Sequence, residues 1–176
     1  MGTTGQALGL CFLMIVSFSP MRTSALPDTL EELQRRFDNE PDGVNKAKML
    51  QKLGNAQFQR EREAEKAGDY ETVGFVMEKY RDNVRAAFEA VKKAHPDAEK
   101  HPAGYKQLEL HIDSGIREVT DLLTVVPEEY RPPLQIVKTD LLKLDRDLLH
   151  MLFPRRPGEK STDPKTSPTT GMEKKP

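Results

Sequence analysis

Between Leu30 and Phe153 the apolar side chains recur at alternating intervals of three and four, the spacing that draws one stripe along an α-helix. Leu30, Leu33 and Phe37 predict a short first helix, with Asp28 and Glu31 spaced as a capping box at its start. The turn Asn39-Glu40-Pro41-Asp42-Gly43 breaks it. A second helix carries Val44, Ala47, Leu50, Gly54 and Phe58 on one face, with Leu53 beside them, and closes at Ala67-Gly68, where glycine supplies the left-handed cap conformation. Asp69 caps a third helix, whose stripe is Tyr70, Val73, Met77, Tyr80, Val84, Ala87 and Val91, and His95-Pro96 stops it. A fourth starts near Pro102 with Tyr105, Leu108, Ile112, Gly115, Val119, Leu122 and Val126, and ends at Pro127. A fifth is expected after Pro132-Pro133, with Leu134, Val137, Leu141, Leu144, Leu148 and Met151, and stops at Pro154.

No stretch alternates as a half-buried strand does. The expected fold is therefore all-α: an antiparallel bundle of four long helices preceded by one short helix, over residues 26–153. The turn Ala67-Gly68-Asp69-Tyr70-Glu71 resembles the inter-helix turn of tetratricopeptide repeats, and Leu53-Gly54 resembles the opening of such a repeat. The two stand out of register with one repeat unit and no second copy follows, so no binding residues are carried over.

The ends of the chain follow other rules. Residues 1–21 carry no charge, and Ala7 to Phe18 form a twelve-residue apolar run, followed by Ser19-Pro20 and the small residues Thr23 and Ala25. That order predicts a secretory signal peptide over 1–25, cut after Ala25, although no Lys or Arg precedes the apolar core. At 1.5 Å per residue the run reaches about 18 Å, short of the ~30 Å hydrocarbon layer. The expected product is exported, periplasmic or extracellular, with no integral membrane span after cleavage. Cys11, the single cysteine, leaves with the leader, which removes disulfides and thiolate metal sites from the mature chain. Residues 154–176 hold five prolines and no Leu, Ile, Val or aromatic residue, and so predict a disordered tail of charge +3.

Composition adds exclusions. The chain has 27 basic and 28 acidic residues among 176, which argues against nucleic acid as a partner. The bundle segment, with 20 basic and 25 acidic residues, is mildly acidic.

Candidate chemistry is sparse. His95, Asp97, Glu99 and His101 bracket one loop with borderline and hard ligands, and are the only metal candidates singled out. Asp147 and His150 lie one turn apart but lack the partner carboxylates of a di-iron bundle. His111 beside the fourth stripe, with Met49 or Met77 as sulfur ligand, is the arrangement a noncovalent haem would use. There is no Gly-x-Ser-x-Gly elbow, no His-Glu-x-x-His helix and no glycine-rich phosphate loop, so no enzyme, catalytic residue or bound cofactor is expected.

Three further features bear on partners. Gly54, Gly74 and Gly115 interrupt helices, marking either close helix approach or an interior widened for a ligand. The run Gln59-Arg60-Glu61-Arg62-Glu63-Ala64-Glu65-Lys66 reads as a solvated face. Leu148, Leu149, Met151, Leu152 and Phe153 make an apolar end with one side left for a partner. The leading expectation is an exported non-enzymatic helical protein acting through protein–protein contact. The alternative is a bundle that binds a small ligand, metal or noncovalent haem. The apolar stripes equally serve a homo-oligomer.

Overall fold

Side-chain caps set the starts of the first three helices, and prolines in the first turn those of the last two. In the computed structural model, which describes residues 29–154, the chain forms α1 (Leu30–Asn39), α2 (Gly43–Ala67), α3 (Tyr70–Ala94), α4 (Pro102–Val125) and α5 (Arg131–Leu152). A single 3-10 turn, Glu128–Tyr130, precedes α5, and no strand occurs among the described residues. The expected leader over 1–25 and the tail beyond Pro154 lie outside the described residues. Asp42 caps α2 by accepting from the Asn45 N–H at 2.7 Å, and Asp69 caps α3 by accepting from the Thr72 N–H at 3.1 Å. Gly68, at φ 74°, closes α2 in the left-handed conformation, as the sequence predicts.

Three boundaries differ from the sequence reading. The cap of α1 is Thr29 rather than Asp28, its hydroxyl accepting from the Glu32 N–H at 3.2 Å. Glu32 does not reach back to complete a capping box; it pairs with Arg35 at 2.7 Å. At the start of α5, Pro132 and Pro133 sit inside the first turn, where a missing N–H leaves no bond unmade, so the helix begins at Arg131. The 3-10 turn was not legible because the preceding Pro127 reads only as a stop.

Each predicted stripe is the buried face of its helix. Leu33 and Phe37 on α1, Ala47, Leu50, Leu53 and Phe58 on α2, and Val73 through Val91 on α3 join one core with the stripes of α4 and α5. One exchange occurs at the edge: Met151 is half-buried and Leu152 takes its place inside. The chain forms two hairpins, α2–α3 and α4–α5, lying side by side. Sequential helices run antiparallel, so α2 lies parallel to α4 and α3 parallel to α5. Ion pairs tie the hairpins together: Arg62–Glu118 at 2.7 Å between α2 and α4, and Asp140 of α5 with Arg85 at 2.9 Å and Arg81 at 3.5 Å, both of α3.

The centre of the bundle is Tyr80. Its ring is fully buried, lies 4.7 Å from the Phe58 ring, and donates its hydroxyl to the carbonyl of His111 on α4. A helix carbonyl points along its axis toward the residue four positions on, here Gly115. A Cβ at Gly115 would overlap the Tyr80 ring and lie 2.8 Å from its hydroxyl oxygen, while one at Gly54 would lie 3.1 Å from ring atom Cε2. The stripe glycines thus make room for an aromatic ring, and the space beside them is filled. Burial also pushes the Tyr80 hydroxyl well above its ordinary pKa, so it stays a donor.

Gly74 is different. A Cβ there would meet only Pro133 Cγ at 3.7 Å, an ordinary contact. Urea denaturation therefore separates the two positions. Gly115→Ala is expected to destabilise the fold by about 1–3 kcal/mol through overpacking. Gly74→Ala is expected to stabilise it by about 0.5–1 kcal/mol, because alanine restricts the unfolded chain and favours helix. Equal shifts of the midpoint would remove the special role given to the Tyr80 seat.

Candidate functional site

With the core filled, chemistry is confined to polar groups on its margin. Among the described residues four polar side chains are buried: Gln57, Glu61, Asn83 and His111. Gln57 and Asn83 are satisfied as a set with Gln34 of α1. Asn83 Nδ2 donates to Gln34 Oε1 at 2.9 Å and to Gln57 Oε1 at 3.4 Å, and Gln34 Nε2 donates to Asn83 Oδ1 at 3.0 Å. This amide exchange, with Leu33 and Phe37, seats α1 against α2 and α3.

Beside that seat opens a groove of about 530 Å³ between α1 and α3. Leu30, Val76 and the 69% exposed Phe75 supply its apolar wall, and Gln34 and Gln57 reach it from the amide set. Its rim carries Glu31 and Asp38 against Arg35 and Lys79, two charges of each sign. Phe75 escaped the sequence reading because it falls off the α3 stripe, where an aromatic has no core to serve; its exposure is the signal.

A second hollow, of about 430 Å³, lies between α2 and α4 and is lined by Glu61, Arg62, Glu65, Glu118, Asp121, Leu122, Thr124 and Val125. Glu61 is 1% exposed, and neither of its carboxyl oxygens meets a donor. Its neighbour is another carboxyl, Glu118, which can satisfy it only by sharing a proton. Burial, reinforced by Glu118 and Glu65 and opposed by Arg62, pushes the Glu61 carboxyl up to about 8. Glu118 itself holds Arg62, with Nη2 at 2.7 Å from Oε1 and 2.9 Å from Oε2.

Within the run 59–66 the solvated reading holds for Gln59, Arg60, Arg62, Glu63 and Lys66 but fails at Glu61 and Ala64. Glu61 and Ala64 are buried because α2 continues its stripe beyond Phe58 against α4, while Arg60, Arg62 and Glu63 stay outside. Glu61 was there to be found by extending the three-four count through Leu50, Gly54, Gln57 and Glu61, but a glutamate in a charged run masks the signal.

The histidines are placed as follows. His95 ends α3 and His101 begins α4, and their rings approach with centroids 4.9 Å apart. Asp97 between them is committed to Lys100, accepting from its backbone N–H at 3.2 Å and pairing with Nζ at 2.8 Å, which holds the carboxyl below its usual range. Glu99 is exposed. Among the described residues no group of three or more His, Cys, Asp or Glu is arranged to hold a metal ion. Asp147 and His150 are exposed on α5. His111 is buried at 9% exposure, and burial lowers its pKa. Met77 is buried in the core and Met49 half-buried. Among the described residues no helix is long and apolar enough to cross a membrane.

No protein-family model, curated protein or solved structure matches this chain. Its chemistry has to be read from its own side chains.

The Glu61 environment fixes a pH dependence. Folded Glu61 keeps its proton to about pH 8, whereas an ordinary glutamate releases it near 4.5. The folded state binds the extra proton, so this contribution is complete below about pH 4.5, declines as pH rises, and is gone above about pH 8. Thermal unfolding of the protein and of Glu61→Gln should therefore give midpoints that diverge across that window, with the variant the more stable at the alkaline end. Parallel curves would mean that Glu61 titrates like a surface acid.

Proposed function

We propose that this is an exported, non-enzymatic helical protein that works by protein–protein contact, and that the groove between α1 and α3 receives an apolar anchor from the partner. The observation that carries the reading is Phe75, a large aromatic exposed on the wall of a concave surface. An exposed side chain standing alone is ordinary, but apolar area gathered in a concave surface with a polar rim marks an interaction site. The four rim charges cancel, so the occupant is drawn in by its apolar side chains, with the rim orienting it. An interaction role also agrees with a bundle whose central Tyr80 is locked between glycines and whose aspartate Asp97 is held by a lysine, neither being free for chemistry. Export rests on the sequence of residues 1–25.

A groove of this volume also falls in the range of small-molecule sites, which keeps ligand binding as the second reading. A photoreactive phenylalanine analogue at position 75, in protein made by its own host, separates the two. A discrete protein adduct from position 75, absent when the same probe replaces the exposed Leu110 of α4, is the expected result. An adduct with the mass of a small molecule would transfer the function to the ligand reading. No adduct, or the same adducts from both positions, would remove the groove as a contact site.

A further inference from the structure

The hollow between α2 and α4 is a different surface from the groove, and its lining is predominantly acidic. Four acidic side chains line it, and the single basic one, Arg62, already lies on Glu118 through two short N–H···O contacts. One of its carboxylates thus already holds a nitrogen cation of the chain's own. Glu61 is almost fully enclosed, no nitrogen or hydroxyl donor reaches either of its oxygens, and its one hydrogen-bonding neighbour is the Glu118 carboxyl, with which it shares a proton. A buried carboxyl answered only by another acid keeps unused acceptor capacity, and a cationic partner arriving later is one reason to retain such a group. Leu122 and Val125 add apolar wall suited to a methylene stem, the surface that the body of a lysine-like cation prefers. A metal ion is the poorer occupant: a hard cation wants six or more converging oxygens, and these acids do not converge in a group of three.

We propose that this hollow binds an organic cation bearing a primary ammonium or guanidinium group, which replaces Arg62 on Glu118 and donates to the vacant oxygens of Glu61, with the Glu61 proton released to solvent. Balance is simple: the incoming N–H···O bonds take the place of the carboxyl proton, and that proton goes to the buffer. The groups facing the exchange are Arg62 and Glu65 on α2, Glu118 and Asp121 on α4, and the buried Tyr80 hydroxyl of α3, which stays protonated. Two sources present this chemistry, a free di- or polyamine and a lysine or arginine side chain on a polypeptide. The inference does not depend on the α1–α3 groove, and the two can fail separately.

Titration calorimetry of the full chain at pH 7, in phosphate and in PIPES so that buffer protonation heats differ, tests it with two probes. Spermidine represents the free amine, and Nα-acetyl-lysine methylamide the side chain. Expected is release of close to one proton per bound cation, because a carboxyl of pKa about 8 is mostly protonated at pH 7, and affinity that rises about tenfold from pH 6 to 7. Glu61→Gln should abolish the proton release and weaken binding at least about tenfold, a change of one decade. Arg62→Gln should strengthen binding, since it removes the resident competitor, which loss of a merely structural ion pair would not do. Binding of spermidine alone assigns the site to free amines, and binding of the lysine derivative, with or without spermidine, assigns it to side chains. Binding without proton release and unchanged in Glu61→Gln is surface ion pairing and overturns the proposal. So does absence of binding by either probe.

Discussion

The fold hangs on one hydrogen bond and the glycine that permits it. Tyr80 crosses from α3 to donate to the His111 carbonyl of α4, and the approach is open only because position 115 has no side chain. Its ring meanwhile rests on Gly54 and Phe58 of α2. One residue therefore touches three of the four long helices and fixes how far each is slid along the others. An apolar stripe alone tolerates slippage by a turn; a buried hydroxyl with a single acceptor does not, because an unmade bond there costs about 1–3 kcal/mol. The register so set also determines what lies farther along the parallel pair α2 and α4. Seven residues past Gly54 comes Glu61, and three past Gly115 comes Glu118. The carboxyls that form the acidic hollow are brought together by the same constraint that closes the core.

Most of the helical architecture was legible because apolar spacing and burial have the same cause. Val73 to Val91 and Leu134 to Leu148 are buried as their periods require. What was not legible is where a side chain crosses from one helix to another. Nothing in the local pattern tells that Gly54 and Gly115 face the same ring, whereas Gly74 faces a proline; that depends on pairing between segments far apart in the chain. The order of the helices around the bundle is hidden for the same reason. Polar burial was missed by a different route. Gln57 and Glu61 sit on the stripe of α2, but a pattern that searches for apolar residues stops at Phe58. The loop histidines were noticed by composition, and the structure brings their rings together while binding the intervening aspartate to Lys100.

Gln57 and Glu61 invite a direct comparison, since they are nearly the same size, one turn apart, and equally enclosed. Gln57 is answered by Asn83 of α3, and through it by Gln34 of α1. Glu61 is answered by nothing but another acid. A glutamine at 61 would fill the same volume without the ionisation penalty, and an apolar residue would extend the core, as Ala64 does one turn later. The carboxyl is thus an expense that packing does not require, the pattern expected where stability is conceded to a site.

That comparison also locates the two hollows relative to each other. Gln57 lines the groove beside α1 and Glu61 lines the hollow beside α4, so a single turn of α2 contributes to both. The first half of α2 packs with Ala47, Leu50 and Leu53 and offers no polar atom to the interior. Its second half trades apolar area for amide and carboxyl groups. The trade is tolerable only because Tyr80 and Phe58 already secure α2 between the two halves. Polar surface at the margin of a helical core costs less where a partner is fixed in place, as Asn83 is for Gln57, and more where none is, as for Glu61. Rigidity at Tyr80 and polarity at 57 and 61 are accordingly one arrangement, with the locked turn supporting the turn that faces outward.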